Sequence, residues 1–324
     1  MRIIALEEHV VTPLYVSKMA ASPRRATGLA DRSQRVGHDV GAELVDIGAS
    51  RIKHMDATGI DVQVLSLTMP GAQAFGAADA PAVARDANDR MQEAIKAHPT
   101  RFAGFAALPT ADPAAAVKEL ERTVRQLGFK GAMINGHTGG EFLDDKKYWP
   151  IFEAAQALGG PIYLHPRDPH PAVMKAYFEG YEELATAAWG FSMDTVAHFL
   201  RMIYGGVLDA FPDLTFILGH LGEGLPFFLH RLHDHTVLSL ARRGLRKTAT
   251  EYMTENVVVT CSGNFSVPAM LCTVMALGVD NVLFSVDWPY ESNRLGAEFL
   301  ESLPLSARDK EKIAHGNAER VLRM

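Results

Sequence analysis

The residue types that can do chemistry in this chain fall at a few sites: Glu7 and His9 in LEEHV, His165 in YLHP, His220 and Glu223 in GHLGEG, and Asp287 in VDWP. In an extended strand alternate side chains share a face, so Glu7 and His9 form a two-pronged pair while Glu8 takes the other side. His165 and His220 each follow apolar residues that belong in a core, and Asp287 follows NVLFSV, where a buried carboxylate is costly without a partner. Taken singly, each has a bland explanation as a solvated strand end or a satisfied core histidine. Together, two imidazoles and two carboxylates from Glu7, His9, His165 and Asp287 suit one hard or borderline dication such as Zn²⁺ or Mn²⁺, with room for a water or a substrate oxygen.

Such a cluster requires elements that end at one common face. Short β-branched and apolar runs begin near residues 2, 61, 102, 129, 160, 214, 257 and 282, with amphipathic stretches between them. Asp112 and Pro113 read as the N-cap and first position of a helix whose face carries Val117, Leu120, Val124 and Leu127. Eight strands separated by helices predict an α/β chain folded as a (β/α)8 TIM barrel, one domain over residues 1–324. Two gaps exceed a simple crossover, Val10 to Ile60 after the first strand and Pro166 to Asp213 after the fifth, and are expected to build the mouth. The first holds Pro23, Arg24, Arg25, Gly28 and Arg35, read as a surface excursion or a lid, and then a helix-like ASRIKHMDATG stopped by Gly59.

Composition removes other function classes. Of 324 residues 48% are hydrophobic and 22% charged, and no apolar run approaches the ~18 residues of a membrane span. The formal charge of -6 comes without basic runs, which gives no footprint for nucleic acid or a membrane surface. Cys261 and Cys272 make no disulfide framework and match no zinc motif. The N-terminal MRIIALEEHV meets two carboxylates too soon for a signal peptide, so the expected compartment is the cytoplasm. A small molecule is the expected partner.

The segments LEEHV, YLHPR, AAWGF, LGHLGEGLPF, VTCSGNF and FSVDWPYE, together with the C-terminal NAERVL, resemble the decarboxylase branch of the amidohydrolase superfamily. That branch holds the hydroxybenzoate decarboxylases of the γ-resorcylate, salicylate and 2,3-dihydroxybenzoate types and, more distantly, the aminocarboxymuconate semialdehyde decarboxylases. The resemblance implies a mononuclear centre on Glu7, His9, His165 and Asp287, with His220 as a nearby catalytic group oriented by Glu223. Many two-metal amidohydrolases carry a bridging lysine on the fourth strand; here that strand ends in Asn135 with Lys130 near its other end, so one ion is expected. The resemblance also implies a homo-oligomer, a dimer or a tetramer.

Under this resemblance the reaction is loss of CO₂ from an ortho-hydroxybenzoate bound through carboxylate and phenolate. Asp287 delivers the proton to the ring, and His220 with Glu223 deprotonates the phenol or polarises the carboxylate. The same residues would also serve a hydrolase of a lactone, ester or amide, with a metal-bound water as nucleophile. Around them, Trp189, Phe191 and Tyr290 are read as a stacking wall on loops at the mouth, Asn135 as a substrate contact, and Arg231 as either a surface charge or a group reaching Glu223 or a substrate carboxylate. His230, His233 and His235 are expected on a solvated face, His170 on a surface loop, and His198 on the polar side of its helix without a role.

Overall fold

The computed structural model describes residues 1–20 and 29–324, so Pro23, Arg24, Arg25 and Gly28 of the first long loop lie outside the described residues. Nine short strands run in order: β1 (Ile4–Val10), β2 (Val62–Leu67), β3 (Phe102–Gly104), β4 (Ala106–Ala107), β5 (Ala132–Asn135), β6 (Ile162–His165), β7 (Phe216–Leu218), β8 (Val257–Thr260) and β9 (Val282–Leu283). All paired neighbours are parallel, in the orders β1-β2-β3 and β4-β5-β6-β7-β8-β9. β3 and β4 are two halves of one barrel strand: the Phe105 amide donates back to Leu65, and the Ala106 amide donates forward to Gly131. The circle closes where Glu8 bridges Trp288 and the His9 amide donates to the Trp288 carbonyl at 2.7 Å. This is the (β/α)8 barrel that the spacing of apolar runs predicts, with all eight expected strands in place.

Inward residues from the strands, among them Ile4, Leu6, Val64, Phe105, Met133, Tyr163, Ile217 and Leu283, pack into one buried layer. Ala318 and Leu322 of the C-terminal helix Asn317–Leu322 join it. Outward strand residues such as Ala5, Ile134, Leu164 and Leu218 pack instead under the helices. At ~25 cal/mol per Å² of apolar surface, this two-sided burial is what makes strands this short stable. Asp112 caps its helix through the Ala115 amide and Pro113 opens it, as its sequence requires. The two long gaps carry helices of their own, Pro13–Ala20, Leu29–Val36, Val40–Val45 and Ala49–Asp56 after β1, and Pro171–Tyr177, Gly190–Tyr204 and Val207–Ala210 after β6.

One irregularity sets the site. Simple alternation from Leu6, which faces the barrel interior, would turn Glu7 outward. The β1–β2 register shifts between Ala5 and Glu8, and this bulge resets the phase so that Glu7 and His9 both point into the mouth.

Candidate metal centre and active site

Four side chains meet at the C-terminal ends of the strands. One ligand atom each from Glu7, His9, His165 and Asp287 lies within 4.8 Å of the other three. Glu7 Oε1 is 3.0 Å from His165 Nε2, and His9 Nε2 is 3.1 Å from Asp287 Oδ1. Yet Glu7 Oε1, His9 Nε2 and Asp287 Oδ1 are all buried without a hydrogen-bond partner among the described residues. Buried polar atoms left in this condition cost about 1–3 kcal/mol each. Three of them converging from β1 and the loop after β9 are what a dication would satisfy, and the imidazole–carboxylate donor set fits one.

The second polar atoms of His9 and Glu7 are already committed. His9 Nδ1 pairs with Ser66 Oγ at 3.2 Å, which orients its ring and leaves Nε2 for the centre. The Tyr163 hydroxyl donates to Glu7 Oε2 and also pairs with Thr260 Oγ1 at 2.6 Å, which in turn meets Ser262 Oγ at 2.7 Å. Gly219 is required beside them, since a Cβ there would sit 2.8 Å from Glu7 Oε2 and 3.1 Å from the Tyr163 hydroxyl. The sequence carried a signal for Tyr163: the alternation that pairs Glu7 with His9 also pairs Tyr163 with His165.

His220 stands beside this group. Its Nε2 is 3.5 Å from Glu7 Oε1 and 3.9 Å from Asp287 Oδ2, while Nδ1 meets Glu223 Oε1 at 2.6 Å. The other Glu223 oxygen accepts from Ser192 Oγ at 2.6 Å. Burial works against a charged His220, but the Glu223 and Glu7 carboxylates hold its pKa well above the ordinary histidine value. For Glu7, burial pushes upward and is outweighed by His220, His165 and His9, so its carboxyl lies well below its usual range. Asp287 is likewise pushed up by burial and held low by His220 and His9, whereas burial lowers His9. Of the five non-glycine residues with positive φ among those described, four are His220, Leu221, Glu223 and Asp287. Each such conformation costs about 1–2 kcal/mol, and strain gathered at one mouth marks it as a functional region.

The surrounding predictions separate into two groups. Asn135 pairs in register with His165, is 2% exposed, and carries a buried Oδ1 without a hydrogen-bond partner among the described residues. Tyr290 lies 5.7 Å from His9, ring to ring, and its hydroxyl pairs with Thr68 Oγ1 at 2.7 Å. These two line the centre. Trp189 and Arg231 instead line a groove of about 540 Å³ between helix Gly190–Tyr204 and helix Leu225–Arg242. Its lining includes Glu223 and Ser192 but none of Glu7, His9, His165 and Asp287.

Phe191 is not on a loop: it is the second residue of helix Gly190–Tyr204 and is buried, because that helix starts sooner than AAWGF suggests. His198 is also misread by its helical spacing. It is fully buried, and its Nε2 accepts the Leu143 amide at 2.8 Å, because the loop after β5 covers that side of the helix. His170 caps helix Pro171–Tyr177 through the Ala172 amide, and His230 and His235 are exposed as expected.

The amidohydrolase family model matches residues 35–324. The gamma-resorcylate decarboxylase of Polaromonas sp. JS666 is 39% identical over 293 residues, 87% of this chain and 89% of that protein. The crystal structure of a 2,6-dihydroxybenzoate decarboxylase complexed with 2,6-dihydroxybenzoate superposes with a TM-score of 0.91 at 33% identity, covering 100% of both chains. That of the Polaromonas sp. JS666 dihydroxybenzoic acid decarboxylase, with bound manganese and the inhibitor 2-nitroresorcinol, gives 0.90 at 35% identity over 99% of this chain and 97% of the other. By the family match over residues 35–324, the identity to the decarboxylase relatives and the likeness of the folds, this chain belongs to the amidohydrolase family, in its decarboxylase branch.

Proposed function

We propose that this protein is a metal-dependent, non-oxidative carboxy-lyase acting on a small ortho-hydroxybenzoate-type acid, in the direction of decarboxylation or, with concentrated bicarbonate, of phenol carboxylation. The observation that carries this reading is the set of buried, unpartnered ligand atoms on Glu7, His9 and Asp287, closed by His165 and flanked by the His220–Glu223 pair. The ion would be Mn²⁺ or Zn²⁺, held by Glu7, His9, His165 and Asp287. The manganese in the Polaromonas structure supports the first. When bound, it would supply a Lewis acid and a template for a carboxylate oxygen and the neighbouring phenolate.

This chain's own residues would then handle protons. Asp287 delivers a proton to the ring carbon that bears the carboxylate. The bond from that carbon to the carboxyl carbon breaks, its electron pair returns to the ring, and CO₂ leaves. His220, its Nδ1 held by Glu223, returns a proton taken from solvent to Asp287 through one bridging water, the 3.9 Å between Nε2 and Oδ2 being too long for direct transfer. Asn135 offers its Oδ1 to a ring hydroxyl, and Tyr290 walls the ring. Phe191 packs behind the mouth, and Trp189 with Arg231 forms its outer rim beside Glu223.

Incubation of metal-quantified protein with a panel of hydroxybenzoates, followed by loss of the carboxylate, tests the reading. We expect turnover of at least one member with a hydroxyl ortho to the carboxylate. Turnover of lactones, esters or amides with no hydroxybenzoate losing CO₂ would replace it by the hydrolase reading. We also propose that the chain works as a dimer or tetramer, supported by the exposed Phe227, Phe228 and Leu238 on helix Leu225–Arg242. A monomer in sedimentation would remove this part.

A further inference from the structure

Glu8 lies between two of the ligands, on the opposite face of β1, and alternation alone would leave it a charged strand-end residue. It is fully buried. Ser285 Oγ and the Val286 amide donate to its Oε1 at 3.2 and 3.1 Å, and Gln63 Nε2 and the Trp288 amide donate to its Oε2 at 3.1 and 3.3 Å. The two backbone amides and Gln63 Nε2 can only donate, so Glu8 meets them with its carboxyl oxygens as acceptors, while burial pushes its pKa up to about 8 against the pull of the Val286 amide and Arg51. Val286 and Trp288 are the residues on either side of Asp287. Behind them, the buried Arg51 donates to Gln63 Oε1 at 3.2 Å and to the His9 carbonyl at 2.7 Å, placing a positive charge one residue removed from Glu8.

Asp287 needs such a hold. β9 ends at Leu283, four residues earlier, the Phe284 amide turns away to the Ile313 carbonyl, and pairing resumes only at the single Glu8–Trp288 bridge, so Asp287 itself lies outside the continuous ladder. Its φ of 76° lies in the left-handed region that L residues avoid unless their surroundings impose it. The amides flanking it are fixed on Glu8, and the Trp288 carbonyl is fixed on the His9 amide at 2.7 Å. We infer that Glu8 is a positioning residue: its two carboxyl oxygens hold the amides of the residues on either side of Asp287 where the continuous ladder has ended, and so aim the Asp287 carboxylate at the centre built by Glu7 and His9. One strand thereby supplies two ligands from one face and, from the other, the anchor of a ligand on the last strand's end.

This rests on the metal-centre reading, and the two are tested apart by titrating metal-free protein with Mn²⁺ alone and reading free Mn²⁺ by electron paramagnetic resonance. Glu8→Gln places an amide NH₂ against the Val286 or the Trp288 amide N–H, whichever way it turns. We expect a folded variant with lowered Tm whose Mn²⁺ affinity, measured well below that Tm, is weakened roughly ten- to a hundredfold, as for other residues that orient ligands. Glu8→Asp keeps the carboxyl group but withdraws its oxygens from the two amides by one methylene, and is expected to lose affinity too. A merely structural Glu8 would lower Tm and leave the affinity of the folded variant at the wild-type value. That result in whichever of the two variants folds overturns the inference, while a wild-type chain that binds neither Mn²⁺ nor, in a parallel titration, Zn²⁺ overturns the metal-centre reading beneath it.

Discussion

Replacing Glu223 tests the chemical reading most directly, because this residue lies outside the ligand set and acts through His220. Its contact with His220 Nδ1 is 2.6 Å long, its side chain is 1% exposed, and its second oxygen is held by Ser192. A buried hydrogen bond to a charged group contributes about 1.5–3 kcal/mol. At 1.4 kcal/mol per factor of ten, Glu223→Ala, which also strands His220 Nδ1, should lower kcat by about 10- to 150-fold. Glu223→Gln keeps an acceptor and loses only the charge. Since a charge-assisted bond is roughly twice as strong as a neutral one, its loss should be about 3- to 12-fold. The alkaline limb of the kcat–pH profile should move to lower pH in Glu223→Gln, because the carboxylate is what helps hold the imidazolium above its ordinary pKa. The assay is steady-state loss of carboxylate on the best hydroxybenzoate, with metal content measured on the same preparations. Bound metal should equal that of the wild type. If both variants retain kcat within about twofold, a bond of this class contributes nothing to turnover and the role given to His220 fails; if either loses its metal, Glu223 supports the centre instead.

Two further expectations concern the ligands and a remote histidine. Asp287→Asn and His165→Ala should each weaken metal binding by at least ~tenfold and carry activity down with it, measured by elemental analysis after gel filtration. Wild-type metal content in either would remove that residue from the ligand set. His198 is buried, and burial, with His137 and Arg201 nearby, pushes its pKa down to about 3 from 6.5. Between those values the unfolded chain binds a proton that the folded chain refuses. Stability is therefore fully present above pH 6.5 and falls by about 1.4 kcal/mol per pH unit as the solution becomes more acidic. His198→Gln lacks that proton, so urea unfolding from pH 7 to 5 should show a loss smaller by about 2 kcal/mol than in the wild type. Parallel stability curves for the two proteins would show that His198 is protonated in the fold or is not linked.

The sequence determines the periodic part of this molecule. Hydrophobic alternation and helix punctuation, read over short windows, placed all eight strands, the Asp112 cap and the polar residues at strand ends, because burial of an apolar face acts locally along the chain and leaves a local pattern. The same pattern put Glu7 with His9 and drew in His165, His220, Glu223 and Asp287. Tertiary structure alone decided what lies between the periods. The β1 bulge that turns Glu7 inward is a register relation to β2, and the burial of His198 depends on a loop from another βα unit. Glu8 bonds residues 277 to 280 positions away, and Tyr163 reaches Glu7 across 156. These are contacts between segments whose separation has no period, so no window along the chain contains both partners. The sequence could name the four proposed ligands by type and strand, but the contacts of Glu8 on both sides of Asp287 come only with the closed barrel.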